Sequence, residues 1–217
     1  MELFTLTACL STIAVLLSNT PGTVSQEDNA ATTETVALIR AWRNGDMQAF
    51  NRLVTLYQVR IYNLALNYVK SSEEAKDLAQ DIFITVYRSL PNLRDETKFS
   101  AWLHQLALNH CRNRYRKLRR RGYFNSDSVD DCFGPELASP DNPSRELEQK
   151  ERDRLVRATI AAMPEAEKEI IMLRDLQELS YEEISEALEL PLGTVKSKLN
   201  RARNTFKNRI KNLLRTP

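Results

Sequence analysis

The stretch that decides the fold is LSYEEISEALELPLGTVKSKLNRAR, Leu179–Arg203. Ser180 and Glu183 have the spacing of a capping box, and Leu179 and Ile184 that of a hydrophobic staple, so a helix is expected to begin at Tyr181. It is short, because Leu190, Pro191, Leu192 and Gly193 read as a turn. Pro191 cannot continue the first helix but can open a second, since its fixed φ suits a first helical turn. In that second helix Val195, Leu199, Ala202 and Phe206 recur at steps of four, three and four, the pattern of a buried stripe. Thr194, Lys196, Ser197, Lys198, Asn200, Arg201, Arg203 and Asn204 occupy its other faces. Arg and Lys can donate to guanine O6 and N7, Asn can pair with adenine, and Ser and Lys can hold phosphate. This is a DNA-binding helix-turn-helix, extending to about Arg209. A solvated basic hairpin would explain the charge, but not the agreement of cap, turn, core and exposed chemistry.

Charge is segregated along a chain whose formal net charge is only +2. After Glu189 there are bases and no acids, and the run Arg112–Arg121 is another basic zone. Between them, Asp127 to Asp153 is dominated by acids. Two basic zones on a near-neutral chain suggest two contacts with a polyanion. Hydrophobic residues make up 42% of the chain, enough for a core, and their spacing is almost everywhere three or four. The fold class is therefore all-α. The cysteines, Cys9, Cys111 and Cys132, are odd in number and form no CxxC, which argues against a disulfide scaffold or zinc knuckle. His104, His110 and Cys111 are close in sequence, but His104 and His110 fall on different helix faces, so no metal site is expected there. No cofactor is expected either.

Working toward the N-terminus, Ala166–Leu176 reads as one helix, and Arg145–Met163 as another, stopped by Pro164. From Gly122 to Ser144 periodicity vanishes, and Gly, Pro, Ser, Asp and Asn give a flexible acidic linker. Four helices precede it. The first covers Glu34–Asn44 and is closed by Gly45 in a left-handed cap. Asp46 caps the second, which runs to about Val69 with Phe50, Leu53, Val54, Tyr57, Ile61, Leu64 and Tyr68 inward. Ser71 and Glu74 open the third, which has Ala75, Leu78, Ala79, Ile82, Phe83, Val86 and Leu90 as its stripe and ends at Pro91. After the loop Pro91–Lys98, the fourth buries Phe99, Trp102, Leu103, Leu106 and Ala107 before turning basic. These four can form one bundle. Phe99 and Trp102 are read as core rather than as stacking platforms.

Leu3–Leu17 is almost wholly apolar. It lacks the basic start and cleavage site of a signal peptide and is short of the about 20 residues that a membrane span needs. A poor signal, a tether and translated sequence upstream of the native start are the options. We favour the last, with Val24 as the start. Domain limits are set at 1–33 for an N-terminal extension, disordered or not native, 34–121 for the bundle, 122–144 for the linker and 145–217 for the helix-turn-helix domain.

The two halves together resemble one family. Leu179–Arg203 and the preceding MPEAEKEIIMLRDL, Met163–Leu176, look like region 4 of extracytoplasmic-function (ECF) sigma factors of the sigma-E type. GDMQAFNRLVTLY (Gly45–Tyr57), AKDLAQDIFITVYRSL (Ala75–Leu90) and FSAWLHQLALNHCRNRYRK (Phe99–Lys117) look like region 2. The resemblance implies a cytoplasmic transcription initiation factor that binds core RNA polymerase and promoter DNA and catalyses nothing itself. By position it implies docking on the clamp helices of the β′ subunit through Asp77, Gln80, Asp81, Phe83 and Arg88. It assigns the −10 element to Ser89, Leu93, Asn109, Arg112 and Arg116. Thr194, Lys196, Ser197, Lys198, Asn200, Arg201 and Arg203 fall to the −35 element, of which Lys198 and Arg203, with Lys207, suit phosphate. It also implies an anti-sigma factor as partner and leaves open a membrane anchor for that partner. Glu178 and Glu189 depart from the pattern, standing where Gly or another small residue is common. The competing reading is a free-standing helix-turn-helix regulator, which leaves Ala75–Leu90 and Phe99–Lys117 unexplained. A membrane-tethered protein rests on Leu3–Leu17 alone. With two His and no Gly-rich phosphate loop, an enzyme is the poorest fit.

Overall fold

The computed structural model describes residues 26–69, 71–123, 155–156 and 158–213. The apolar N-terminal stretch, the linker and the first part of the Arg145–Met163 helix lie outside these residues. Among the described residues all regular structure is helical. The chain divides into two units, one of residues 23–136 with 182–189, the other of residues 1–22, 137–181 and 190–217.

In the first unit α1 spans Gln26–Arg43, α2 Met47–Val69, α3 Ser72–Ser89 and α4 Phe99–Arg120. α1 begins at Gln26 rather than Glu34, so residues 26–33 are helical and not a disordered extension. No Pro or Gly interrupts Val24–Asn44, so nothing in the sequence stops the helix before Gly45. The α1 exit matches expectation. Asp46 N–H donates to the Ala41 carbonyl and Gly45 N–H to that of Trp42, and Gly45 has φ 99°, where a Cβ would be strained. Asp46 Oδ1 then accepts from the Gln48 N–H at 2.9 Å and starts α2.

α2 is the central element, packed by α1, α3 and α4, and α3 also packs on α4. Leu53, Ile61 and Leu64 of α2, Ile82 and Val86 of α3, and Phe99, Leu103 and Leu108 of α4 are almost wholly buried. Each such side chain contributes about 1.5–3 kcal/mol relative to exposure. Phe50 and Val54 are only half-buried, and Tyr62, Ala65 and Leu66 complete the α2 core instead. Phe83 is likewise half-buried, while the rest of the expected α3 stripe is buried. Phe99 is core, packing edge-on against Tyr57 with centroids 5.3 Å apart, and Trp102 leans on it half-exposed. Burial pushes the Tyr57 hydroxyl's pKa up, opposed by its hydrogen bond to Thr35 of α1 at 3.1 Å.

Ser71 caps α3 by accepting from the Glu74 N–H. The Glu74 carboxylate turns to α4, where Arg114 Nε and Nη2 approach it at 2.7 and 2.6 Å. One arginine of the basic run thus ties α3 to α4.

In the second unit, Val156, Thr159, Ile160 and Met163 are buried at the end of the helical segment that precedes Pro164. α5 covers Glu165–Ile171, and α7 is the helix Leu192–Leu213, against which α5 packs. The helix expected over Ala166–Leu176 is not uniform: Met172–Leu176 widens into a π turn. Met172 and Leu173 are buried there, and the Gln177 N–H donates to the Met172 carbonyl at 2.9 Å. α6, Tyr181–Leu188, has Ile184 and Ala187 buried, and its residues from 182 on group with the first unit. Glu178 and Glu189, on either side of it, have φ of 60° and 55°. Both lie in the left-handed region, which costs an L-residue about 1–2 kcal/mol and which Gly enters freely. That is the physical content of their departure from the family pattern.

Candidate nucleic-acid interface

α7 opens at the turn, where the Pro191 carbonyl accepts from Thr194 N–H at 2.8 Å and Val195 N–H at 3.0 Å. Val195, Leu199, Ala202 and Phe206 are buried as expected, and Ile210 extends the stripe by a further turn. On the opposite side Lys196, Ser197, Asn200 and Arg201 come together, all exposed, along one open depression. Gly193, Asn204, Thr205 and Asn208 line it too. The sequence pattern places Asn204 on an outer face, but Thr205 and Asn208 join the depression only in the structure. The i, i+4 ladder 196, 200, 204, 208 was the available signal. Asn204 Nδ2 donates to Asn200 Oδ1 at 3.0 Å, so these two amides face outward as a pair. Lys196 Nζ stands 6.0 Å from the centre of the Tyr181 ring, which Arg174 also covers at 5.0 Å.

Arg203 is placed differently from its neighbours. Four residues from Leu199 and three from Phe206, it lies at the edge of the buried stripe. Its Nη2 reaches Asp175 Oδ1 at 2.7 Å, with side-chain exposures of 12% and 7%. Burial raises the Asp175 pKa, and Arg203 opposes that rise. Arg203 is thus held by a carboxylate of the π turn, whereas its neighbours Asn200 and Arg201 are exposed. Thr194 and Lys198 are half-buried, at the flanks of the depression.

In the first unit Gln105, Asn109, Arg112, Asn113, Arg116 and Arg120 share one face of α4. Arg112 Nη1 approaches Asn109 Oδ1 at 3.3 Å, and Arg116 Nη2 donates to Asn113 Oδ1 at 2.7 Å. Arg116, Lys117, Arg119 and Arg120 line an open basic surface at the C-terminal end of α4. Ser89 is the last residue of α3, and Leu93 lies in the loop before α4, both half-buried. That loop holds two 3-10 turns, Leu90–Asn92 and Glu96–Lys98. Thr97 donates to Asp95 Oδ1 from Oγ1 at 2.6 Å and from its N–H at 3.0 Å, which holds the Asp95 pKa below its ordinary value.

On α3, Asp77, Gln80, Asp81 and Arg88 are exposed on one side. Among them stand Ile84 and Tyr87, 41% and 40% exposed, which sequence reading passed over. Tyr87 meets Phe50 and Trp42 edge-on, with centroids 5.0 and 5.7 Å apart. Among the described residues no helix is long and apolar enough to cross a membrane.

Residues 53–121 match the family model Sigma-70 region 2, and residues 153–206 match Sigma-70, region 4. The ECF RNA polymerase sigma-E factor of Haemophilus influenzae is 37% identical over 82% of this chain and 96% of its own length. The RNA polymerase sigma-H factor of Pseudomonas aeruginosa is 35% identical over 82% of this chain and 94% of its own. In fold the chain is similar to CnrH, solved in complex with the cytosolic domain of CnrY, with a TM-score of 0.62 and 21% identity over 82% of this chain and 98% of that one. It is also similar to RpoE of Bartonella quintana, solved with the anti-sigma factor NepR, with a TM-score of 0.56 and 22% identity over 76% of this chain and 98% of that one. With both regions matched in order and relatives covered almost end to end, the chain belongs to the ECF sigma factors, and it is a bacterial transcription initiation factor rather than an enzyme.

Proposed function

We propose that residues 145–217 read the −35 element through the α7 depression and that residues 34–121 hold core polymerase and open the −10 element. The observation that carries this is the gathering of Lys196, Ser197, Asn200 and Arg201 on one exposed surface, backed by a fully buried stripe. Arg201 and Asn200 carry the donors that suit base edges in a major groove, and Lys198 and Lys207 hold phosphate. On α4, Asn109 contacts bases of the −10 element while Arg112 and Arg116 hold backbone as the strands part, aided by Tyr115 within the same run. Ser89 and Leu93 frame the pocket for a flipped base. The α3 face of Asp77, Gln80, Asp81, Phe83 and Arg88 docks on the β′ clamp helices, and the exposed Ile84 and Tyr87 add apolar area to it. An anti-sigma factor holds the protein inactive in the cytoplasm until a signal arrives. One structural relative, RpoE of Bartonella quintana, was solved with an anti-sigma factor, and CnrH was solved with the cytosolic domain of another protein, which supports this part of the reading.

Run-off transcription with core polymerase tests the proposal. The full chain should direct core enzyme to start at discrete promoters in genomic fragments of its own source. Tight binding of the pure chain to duplex DNA, with no initiation when core is added, would overturn it.

A further inference from the structure

The loop Pro91–Lys98 is tied to a helix that lies far from it in sequence. Arg43, the last residue of α1, places Nη1 on the Glu96 carboxylate and Nη2 on the Leu93 carbonyl. Arg40, one turn earlier, places Nη2 at 3.4 Å from the other Glu96 oxygen. Glu96 is the more enclosed member, with its side chain 18% exposed against 29% for Arg43 and 66% for Arg40. α1 also packs directly on the Glu96–Lys98 turn. One guanidinium therefore spans the loop, from a backbone oxygen on one side of its bend to a carboxylate on the other. The planar fork of Arg suits two acceptors at once, and Lys offers no such geometry. Within the loop, Leu93 N–H donates to the Leu90 carbonyl at 3.1 Å and Thr97 N–H to Asp95 Oδ1, and at its end Lys98 Nζ pairs with Glu186 Oε1 at 2.5 Å.

We propose that Arg43, through Glu96 and the Leu93 carbonyl, is a positioning residue that presets the −10 loop before DNA arrives. The inference rests on the assignment of that loop to the flipped base. A loop of this length without the brace would lose conformational freedom on binding, and that entropy would weaken the cognate base's advantage over its competitors. Arg43 itself touches no DNA in this scheme. It acts through Leu93 and its neighbours, and α1 becomes part of promoter recognition rather than a cover for the bundle.

The test uses the full chain with core polymerase on a promoter pool randomised at both elements, with the selected sequences read from the transcripts. Arg43→Ala should flatten base preference at the −10 element about tenfold, the loss expected for a charge-assisted bond. Preference at the −35 element, read in the same transcripts, should not change. Arg43→Lys should recover part of the effect, and Glu96→Gln should fall between wild type and Arg43→Ala. In the free full chain, amide exchange of residues 93–98 should rise about tenfold in Arg43→Ala. Unchanged exchange, an intact −10 preference, or a fall of both preferences together would overturn the brace. Failure of the wild-type chain to select any promoter would instead overturn the functional proposal on which it rests.

Discussion

α4 and α7 are both 22 residues long, both bury one stripe, and both carry a basic outer face. Each also commits one arginine to an acid on a neighbouring segment, Arg114 to Glu74 and Arg203 to Asp175. They differ in how the remaining polar groups are arranged. In α4 the bases crowd toward the last turns, where the helix dipole favours positive charge and where Lys117, Arg119 and Arg120 stand together. In α7 the bases are spaced among Ser and Asn along a depression. A dense cationic end suits phosphates of any sequence, whereas interspersed amides and guanidinium groups suit base edges. The two ion pairs differ as well. Glu74 and Arg114 keep about a quarter of their side-chain exposure, and Asp175 and Arg203 keep far less. The same residue types thus make a solvated tie in one domain and a desolvated one in the other.

The largest effect is expected at the desolvated pair. Arg203→Ala leaves the Asp175 carboxylate buried without its counter-charge and should cost about 3 kcal/mol or more in denaturant unfolding of the full chain. Adding Asp175→Asn should return much of it. The pH dependence has a definite sign. The folded-state pKa of Asp175 lies above its ordinary 3.8, so its favourable contribution is complete below 3.8 and is lost as pH rises through the raised value. Asp175→Asn should therefore gain on wild type as pH rises through that window. A loss for Arg203→Ala below about 1 kcal/mol would erase the distinction between the pairs.

Next come the two outer faces. Arg201→Ala should weaken discrimination at the −35 element by about 1–3 kcal/mol, measured across single-base promoter variants. Arg116→Ala should weaken binding of all sequences alike and reduce the salt slope by about one. If Arg116→Ala were sequence-selective and Arg201→Ala uniform, the contrast drawn between the helices would be reversed. At the solvated pair, Arg114→Ala should cost no more than about 1 kcal/mol in the same unfolding measurement. Smallest, and opposite in direction, Glu178→Gly should stabilise by about 0.5–1 kcal/mol, because relief of the left-handed backbone outweighs the extra freedom of the unfolded chain. A loss there would mean that the Glu178 side chain makes a contact worth more than the strain.

Much of this was legible in local sequence. The stripe Val195, Leu199, Ala202 and Phe206, the turn at Pro191, the Ser71 cap and the Gly45–Asp46 junction follow from periodicities and backbone preferences that act over four or five residues. The exposed set Lys196, Ser197, Asn200 and Arg201 follows once the buried stripe is known. The roles proposed for these faces come from the family resemblance, which no spacing rule contains.

Tertiary structure decided the partners. Arg203 and Arg114 look like their basic neighbours, and the acids that claim them lie 28 and 40 residues away. The Arg43 link to Glu96 spans 53 residues. The π turn at Met172–Leu176 and the left-handed Glu178 and Glu189 also go against local preference. Local sequence determined which surfaces this chain can form, because helical periodicity and capping are short-range. Which charges pair with an acid was decided only by packing, because an ion pair depends on distance in space and leaves no period in the sequence.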